Sequence, residues 1–177
     1  MKTYLVVTIT CPDRPGIVEL ITEQVLKHSA NWEDSRMARL GGDFAGIVLI
    51  TVEHQQADAL TRDLRALADD TTTVTVKATR ENPSAPPAES QLLEMTLTGA
   101  DHEGIVHKVS AYLAQQGINV ESLDTYVMPA PITASPLFHM NALIKLPAEL
   151  TKNDLADNLH HIGDELGVDI EVRPHEN

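Results

Sequence analysis

The residues whose types and spacing point most directly to chemistry are Cys11, Pro12, Asp13, Arg14, Pro15, Gly16, Ile17 and Val18. An apolar run enters this stretch and a helical pattern leaves it. Asp13, Pro15 and Gly16 make it a turn, and the amides of Gly16, Ile17 and Val18 then open a helix. The first donors of a helix have no partner within it. Such a start receives a small anion, for example a carboxylate. Gly16, with no side chain, lets a ligand approach the backbone. Asn31, further along, offers amide groups to a ligand's ammonium or carboxylate. The plainer reading is that Asp13 only caps the helix and Gly16 only permits the turn. Each amide contact is worth a net ~1 kcal/mol, somewhat more when charge-assisted. About 4 kcal/mol corresponds to millimolar affinity, the range of a weak sensor. A tighter grip needs a closed pocket, as between two domains.

The stretch recurs as Gly99, Ala100, Asp101, His102, Glu103, Gly104, Ile105 and Val106. Asp101, Gly104, Ile105, Val106 and Asn119 follow Asp13, Gly16, Ile17, Val18 and Asn31 by 88 residues each, as Leu93, Thr96 and Thr98 follow Leu5, Thr8 and Thr10. One constant offset from the first strand into the second indicates a duplication. The copies are unequal. His102 and Glu103 replace Arg14 and Pro15, which removes a rigid residue and sets an anion beside the expected carboxylate position. The second turn is the weaker candidate.

The elements that must hold these turns can be read from the apolar periodicity. Tyr4–Thr10 is rich in β-branched residues and reads as a strand. Ile17, Ile21 and Val25 mark a helix, with Val18 and Leu26 widening its stripe. A strand over 32–40, a turn at Gly41, Gly42 and Asp43, and a buried strand over 44–52 follow. Leu60, Leu64 and Leu67 lie on one helix face, and 72–79 closes the unit. The second copy repeats the order. Strands are expected over 92–98, 119–128, 137–146 and 168–172. Val106, Val109 and Leu113 mark one helix, closed at Gly117. The other carries Leu155, Leu159, Ile162 and Leu166, with Thr151 as N-cap and Gly167 as terminator. The fold class is α+β: two ferredoxin-like βαββαβ domains in tandem, over residues 1–80 and 92–173. A Pro-rich linker joins them over 81–91. The register slips at Phe138, which answers Phe44, because the second copy gains residues over 129–138.

Composition narrows the function. The chain has 177 residues and a net charge of −13. That charge opposes direct nucleic-acid binding, which needs clustered Lys and Arg. No apolar run approaches a membrane span, and the N-terminus is too short in apolar length for a signal peptide. A cytoplasmic protein without membrane contact is expected. The single cysteine, Cys11, rules out a disulfide within the chain. It reads as an inert small residue despite the nearby Arg14. His102, His107, His160 and His161 lack the spacing of a helical metal pair. No metal, cofactor or catalytic residue is expected.

A split βαβ unit with Asp13, Arg14, Pro15, Gly16, Ile17 and Val18 after its first strand resembles the ACT domain, a small-molecule regulatory module. Two such units, with the Asn31–Phe44 segment in the first and Ser135–Phe138 in the second, resemble the glycine cleavage system transcriptional repressor family. The resemblance implies binding of a small amino acid, possibly glycine. It also implies action through contact with a DNA-bound transcriptional activator rather than on DNA. Two units can pair their sheets within one chain or across a homodimer, and the sequence leaves both open. Other readings on this architecture are an acylphosphatase-like enzyme, faintly echoed by Arg14, Gly16 and Asn31, and an RNA-binding module stacking bases on Phe44 and Phe138. Within the family pattern, the alternatives are a sensor of another amino acid and a tandem unit that has lost its ligand.

Overall fold

Alternation with period two in β1 (Lys2–Pro12) sends Leu5, Val7, Ile9 and Cys11 to one side, and all four are buried. Against them lies α1 (Ile17–Lys27), which buries Ile17, Ile21 and Val25 at a spacing of four. The computed structural model describes residues 1–79, 91–131 and 134–175. The first unit continues with β2 (Asn31–Leu40), β3 (Asp43–Glu53), α2 (His54–Arg65) and β4 (Thr73–Thr79). Its antiparallel sheet has the order β2-β3-β1-β4. α2 sets Ala57, Leu60 and Leu64 into the core beside α1.

The second unit has β5 (Gln91–Ala100), α3 (Ile105–Gln115), β6 (Asn119–Pro129), β7 (Pro136–Leu146), α4 (Lys152–Leu166) and β8 (Val168–Pro174), with sheet order β6-β7-β5-β8. The expected element order is present twice. The chain divides into two compact units, Met1–Ala85 and Pro86–Asn177. Residues 80–90, which hold nearly all of the expected linker, lie outside the described residues.

Several local expectations change. Val18 is 42% exposed and Leu26 80% exposed, so the buried stripe of α1 is narrower than the apolar residues suggest. In α4, Gly163 is buried where Ile162 and Leu166 are only partly covered. A Cβ on Gly163 would lie 2.6 Å from the Val168 carbonyl oxygen. Glycine there lets the helix settle directly onto β8. The poor alternation of β2 has a cause: its pairing with β3 shifts register between Trp32 and Asp34, leaving Glu33 as a bulge. β6 shifts at the matching place, between Val120 and Ser122. Phe44 packs against the first core and Phe138 is buried in the second. Neither ring lies open on a sheet for base stacking.

Candidate ligand turns

Gly16 closes the first turn in the left-handed region, at φ 91°, and serves as the N-cap of α1. That backbone is strained for residues with a Cβ, which accounts for glycine here. No side chain caps the helix, and the first intrahelical bond is Leu20 N–H to Gly16 O at 3.1 Å. The amides of Ile17, Val18 and Glu19 therefore precede the helical ladder. Ile17 is anchored in the core, which fixes the backbone while leaving its surface side open. Asp13, Arg14, Gly16, Val18 and Phe44 line a cleft of about 310 Å³ over this start.

Asp13 does not cap the helix. Its carboxylate meets Arg39 Nε at 2.7 Å, and its own N–H donates to Gly42 O at 3.0 Å. The β2–β3 hairpin thus holds the turn from outside. The second unit keeps this support at the start of β7, with Asp101 N–H donating to Pro136 O at 3.1 Å. The lengthened segment between β6 and β7 has preserved the contact of the tight hairpin it replaces. Residues 132–133 of that segment lie outside the described residues.

Gly104 repeats the geometry at φ 94° and caps α3. The charges around it differ. α1 carries Glu19 in its first turn, with Oε2 3.9 Å from where a Cβ on Gly16 would stand. α3 has no acid in its first turn, and its corresponding residue is His107. His102 approaches two carbonyl oxygens, Glu103 O from Nδ1 at 2.9 Å and Leu166 O from Nε2 at 2.8 Å. These two carbonyls, Glu103 first, raise its pKa, helped by the Asp101 charge. Glu19 escaped the sequence reading; its signal was an acid within one turn of a helix start.

Asn31 and Asn119 are not brought to the turns of their own units. Asn31 pairs with Thr51, which pairs in turn with Tyr4. The turn follows Pro12, eight residues further along β1, so roughly 27 Å of strand separates the two. Asn119, opposite Lys145 and so level with Leu92, is equally remote from Gly104. Each asparagine instead donates to the glutamate in its bulge, Asn31 to Glu33 at 3.0 Å and Asn119 to Glu121 at 2.8 Å. Glu33 also accepts from the Thr51 hydroxyl. That bond, then the one from Asn31, holds its carboxyl below the usual range. The set Arg14, Gly16 and Asn31, which an acylphosphatase-like centre would need together, is not assembled within the unit.

Cys11 is buried in the first core. Burial raises its thiol pKa, outweighing the opposing effect of Arg14. That environment disfavours the thiolate.

An ACT-domain model matches residues 3–78, the first unit nearly from end to end. An unknown protein from Galdieria sulphuraria, known from a crystal structure, superposes with a TM-score of 0.86 at 31% identity, covering 99% of this chain and 100% of that one. The chain belongs to the ACT-domain family. It carries two ACT units in tandem, each a ferredoxin-like βαββαβ fold. A glycine cleavage system transcriptional repressor from Escherichia coli is 27% identical over 146 residues, 82% of this chain and 76% of that protein. A UPF0237 protein from Methanopyrus kandleri is 36% identical over 80 residues, 45% of this chain and 82% of that protein. No helix among the described residues is long and apolar enough to cross a membrane.

Proposed function

We propose that this ACT-domain protein is a non-enzymatic regulator that binds a small amino acid at the Gly16 turn and passes the bound state to a protein partner. The observation that carries this reading is the uncapped start of α1 beneath a left-handed glycine. The cleft lies over this helix start, and among the described residues no side-chain cap bond occupies its donors. A ligand carboxylate takes these amides, beside Arg14 and in competition with Glu19. Asp101, Gly104, Ile105 and Val106 form a second turn of the same kind. Asn31 and Asn119 cannot serve the turn of their own unit, so any role they have is toward another surface.

The partner in this reading is a DNA-bound transcriptional activator, in keeping with the repressor named among the relatives. A regulator of this kind works in the cytoplasm. The net charge of −13 argues against the chain gripping DNA itself. Glycine is the first ligand to test. Titration calorimetry with glycine and a panel of amino acids is expected to give weak, roughly millimolar binding to the intact chain, lost in Gly16→Val. Absence of heat with every amino acid would remove the sensor from this reading. Tight binding of operator DNA by the purified chain at physiological salt would remove the protein-contact mechanism.

A further inference from the structure

The second turn is held to the end of α4 by a histidine, where the first unit has Arg14. His102 stands between two carbonyl oxygens, those of Glu103 and Leu166. A carbonyl can only accept, so each contact is a hydrogen bond only when the facing ring nitrogen carries a proton. Neutral imidazole has one N–H and would turn a lone pair toward the other oxygen. Both contacts together require the imidazolium form. Leu166 is the last residue of α4. Its carbonyl lies at the negative end of the helix, where a cation is favoured.

We propose that His102 is a protonation-operated latch, tying the second turn to the end of α4 as an imidazolium and releasing one of the two carbonyls when it loses a proton. The titratable groups on its own turn are Asp101 and Glu103, those in the first turn of α3 are His107 and Lys108, and those in the last two turns of α4 are His160, His161, Asp164 and Glu165. Lys108 is already engaged with Glu165, a second tie across the same junction. Arg14 holds the matching position in the first unit, and a guanidinium does not titrate in the relevant range. The latch therefore belongs to the second unit alone. It also fixes one end of a groove of about 520 Å³ between α3 and α4, because Gly104 and Leu166 both line it, with Tyr112 and Ile162 along its length.

The sign follows from the raised pKa of His102. The stabilisation is complete below the ordinary histidine value and is lost as pH rises through the higher folded value. The latch operates whether or not the turn takes a ligand.

The test is an NMR titration of the intact chain that follows the His102 ring nitrogens and the amides of Gly104, Leu166 and Gly167. Both ring nitrogens are expected to be protonated below the His102 midpoint. The midpoint should lie above that of histidine in the unfolded chain, and the three amides should move with the same midpoint. In His102→Gln the alkaline movement of those amides should disappear. A His102 midpoint at or below the unfolded value overturns the latch, as does titration of His102 without movement at the end of α4. Wild-type protein alone decides both of these outcomes, so the proposal stays falsifiable even if the variant folds poorly.

Discussion

The two ACT units share a backbone at their turns and differ in what surrounds it. Gly16 and Gly104 have nearly the same φ, 91° and 94°. Both turns hang by one N–H, that of Asp13 or Asp101, from the entry to the third strand of their unit, at Gly42 just before β3 and at Pro136, the first residue of β7. Around the first lie Arg14, the Asp13–Arg39 pair and Glu19. Around the second lie His102, clamped to α4, and Glu103, with His107 in place of the helix acid. The backbone is what the duplication retained. The side chains have diverged toward an open turn in one unit and a latched turn in the other. A receptor made of main-chain amides survives such divergence, because its donors do not depend on residue type.

The deepest packing difference between the units should give the largest effect. Cys11 fills a core position in the first unit, and Gly99 takes that place in the second, crowded by its partner on β8, Val168. A Cβ on Gly99 would stand 2.8 Å from Val168 Cα. Gly163→Ala meets the same residue's carbonyl oxygen. Each substitution is expected to cost about 2–3 kcal/mol as overpacking against backbone that cannot swing aside. Denaturant unfolding followed by hydrogen exchange should show the loss in β8 amides and not in β4. Equal loss in both strands would mean that the two cores are not energetically separate.

Next in size are the turn glycines. Gly16→Val and Gly104→Val place a β-branched residue in the left-handed region, at about 1–3 kcal/mol each. Stability alone should not distinguish them, since φ is the same. Ligand titration should: amino-acid binding is expected to fall mainly with Gly16→Val. If Gly104→Val removes the heat instead, Glu19 has closed the first turn to anions and the order of the two turns is reversed.

Much of the architecture was legible in the sequence, because period-two and period-four apolar patterns report directly on buried faces. The β-branched run Tyr4–Thr10 gave β1, and Ile17, Ile21 and Val25 gave α1. The offset of 88 residues gave the duplication. Asn31 was misplaced because equal offsets show that two residues correspond, not that each lies near its turn. Ladder register sets that distance, and register is a property of strand pairing. His102 was legible as a departure from the first copy. Its contact with Leu166, 64 residues away, was not. Val18 and Leu26 show the limit of apolar patterning, since their side chains reach the surface from a helix whose buried face is one residue wide per turn.

The units should also part company with pH. In the first, Asp69 accepts from the N–H and hydroxyl of Thr71 and from the N–H of Thr72, holding the turn into β4. These bonds, the Thr71 N–H first, lower its pKa to about 2. A lowered folded value contributes stability above the unfolded pKa of about 4, and this is lost as pH falls toward 2. His102 acts in the opposite direction, losing its contribution as pH rises. Hydrogen exchange across pH should therefore loosen the β4 turn at the acid end and the α4 terminus at the alkaline end. Asp69→Asn should remove the acid loosening of the β4 turn, while Glu33 and Asp63 still titrate elsewhere in the first unit. Acid loosening of the β4 turn that persists in Asp69→Asn would contradict the assignment.

The smallest effect belongs to the pair that distinguishes the first turn's surface. Asp13 and Arg39 meet at 2.7 Å, yet their side chains are 36% and 68% exposed. Water and salt screen such a pair, and Arg39→Ala should cost no more than about 0.2–1 kcal/mol. Its value as a test lies elsewhere. Releasing Arg39 frees the Asp13 carboxylate beside the cleft, so an incoming ligand carboxylate meets an unneutralised anion. Amino-acid affinity should weaken several-fold at low salt, and the loss should shrink at high salt, where the repulsion is screened. Arg39→Lys keeps the charge and should retain most of the binding. The salt dependence separates this electrostatic effect from a change in turn shape, which added salt would not restore.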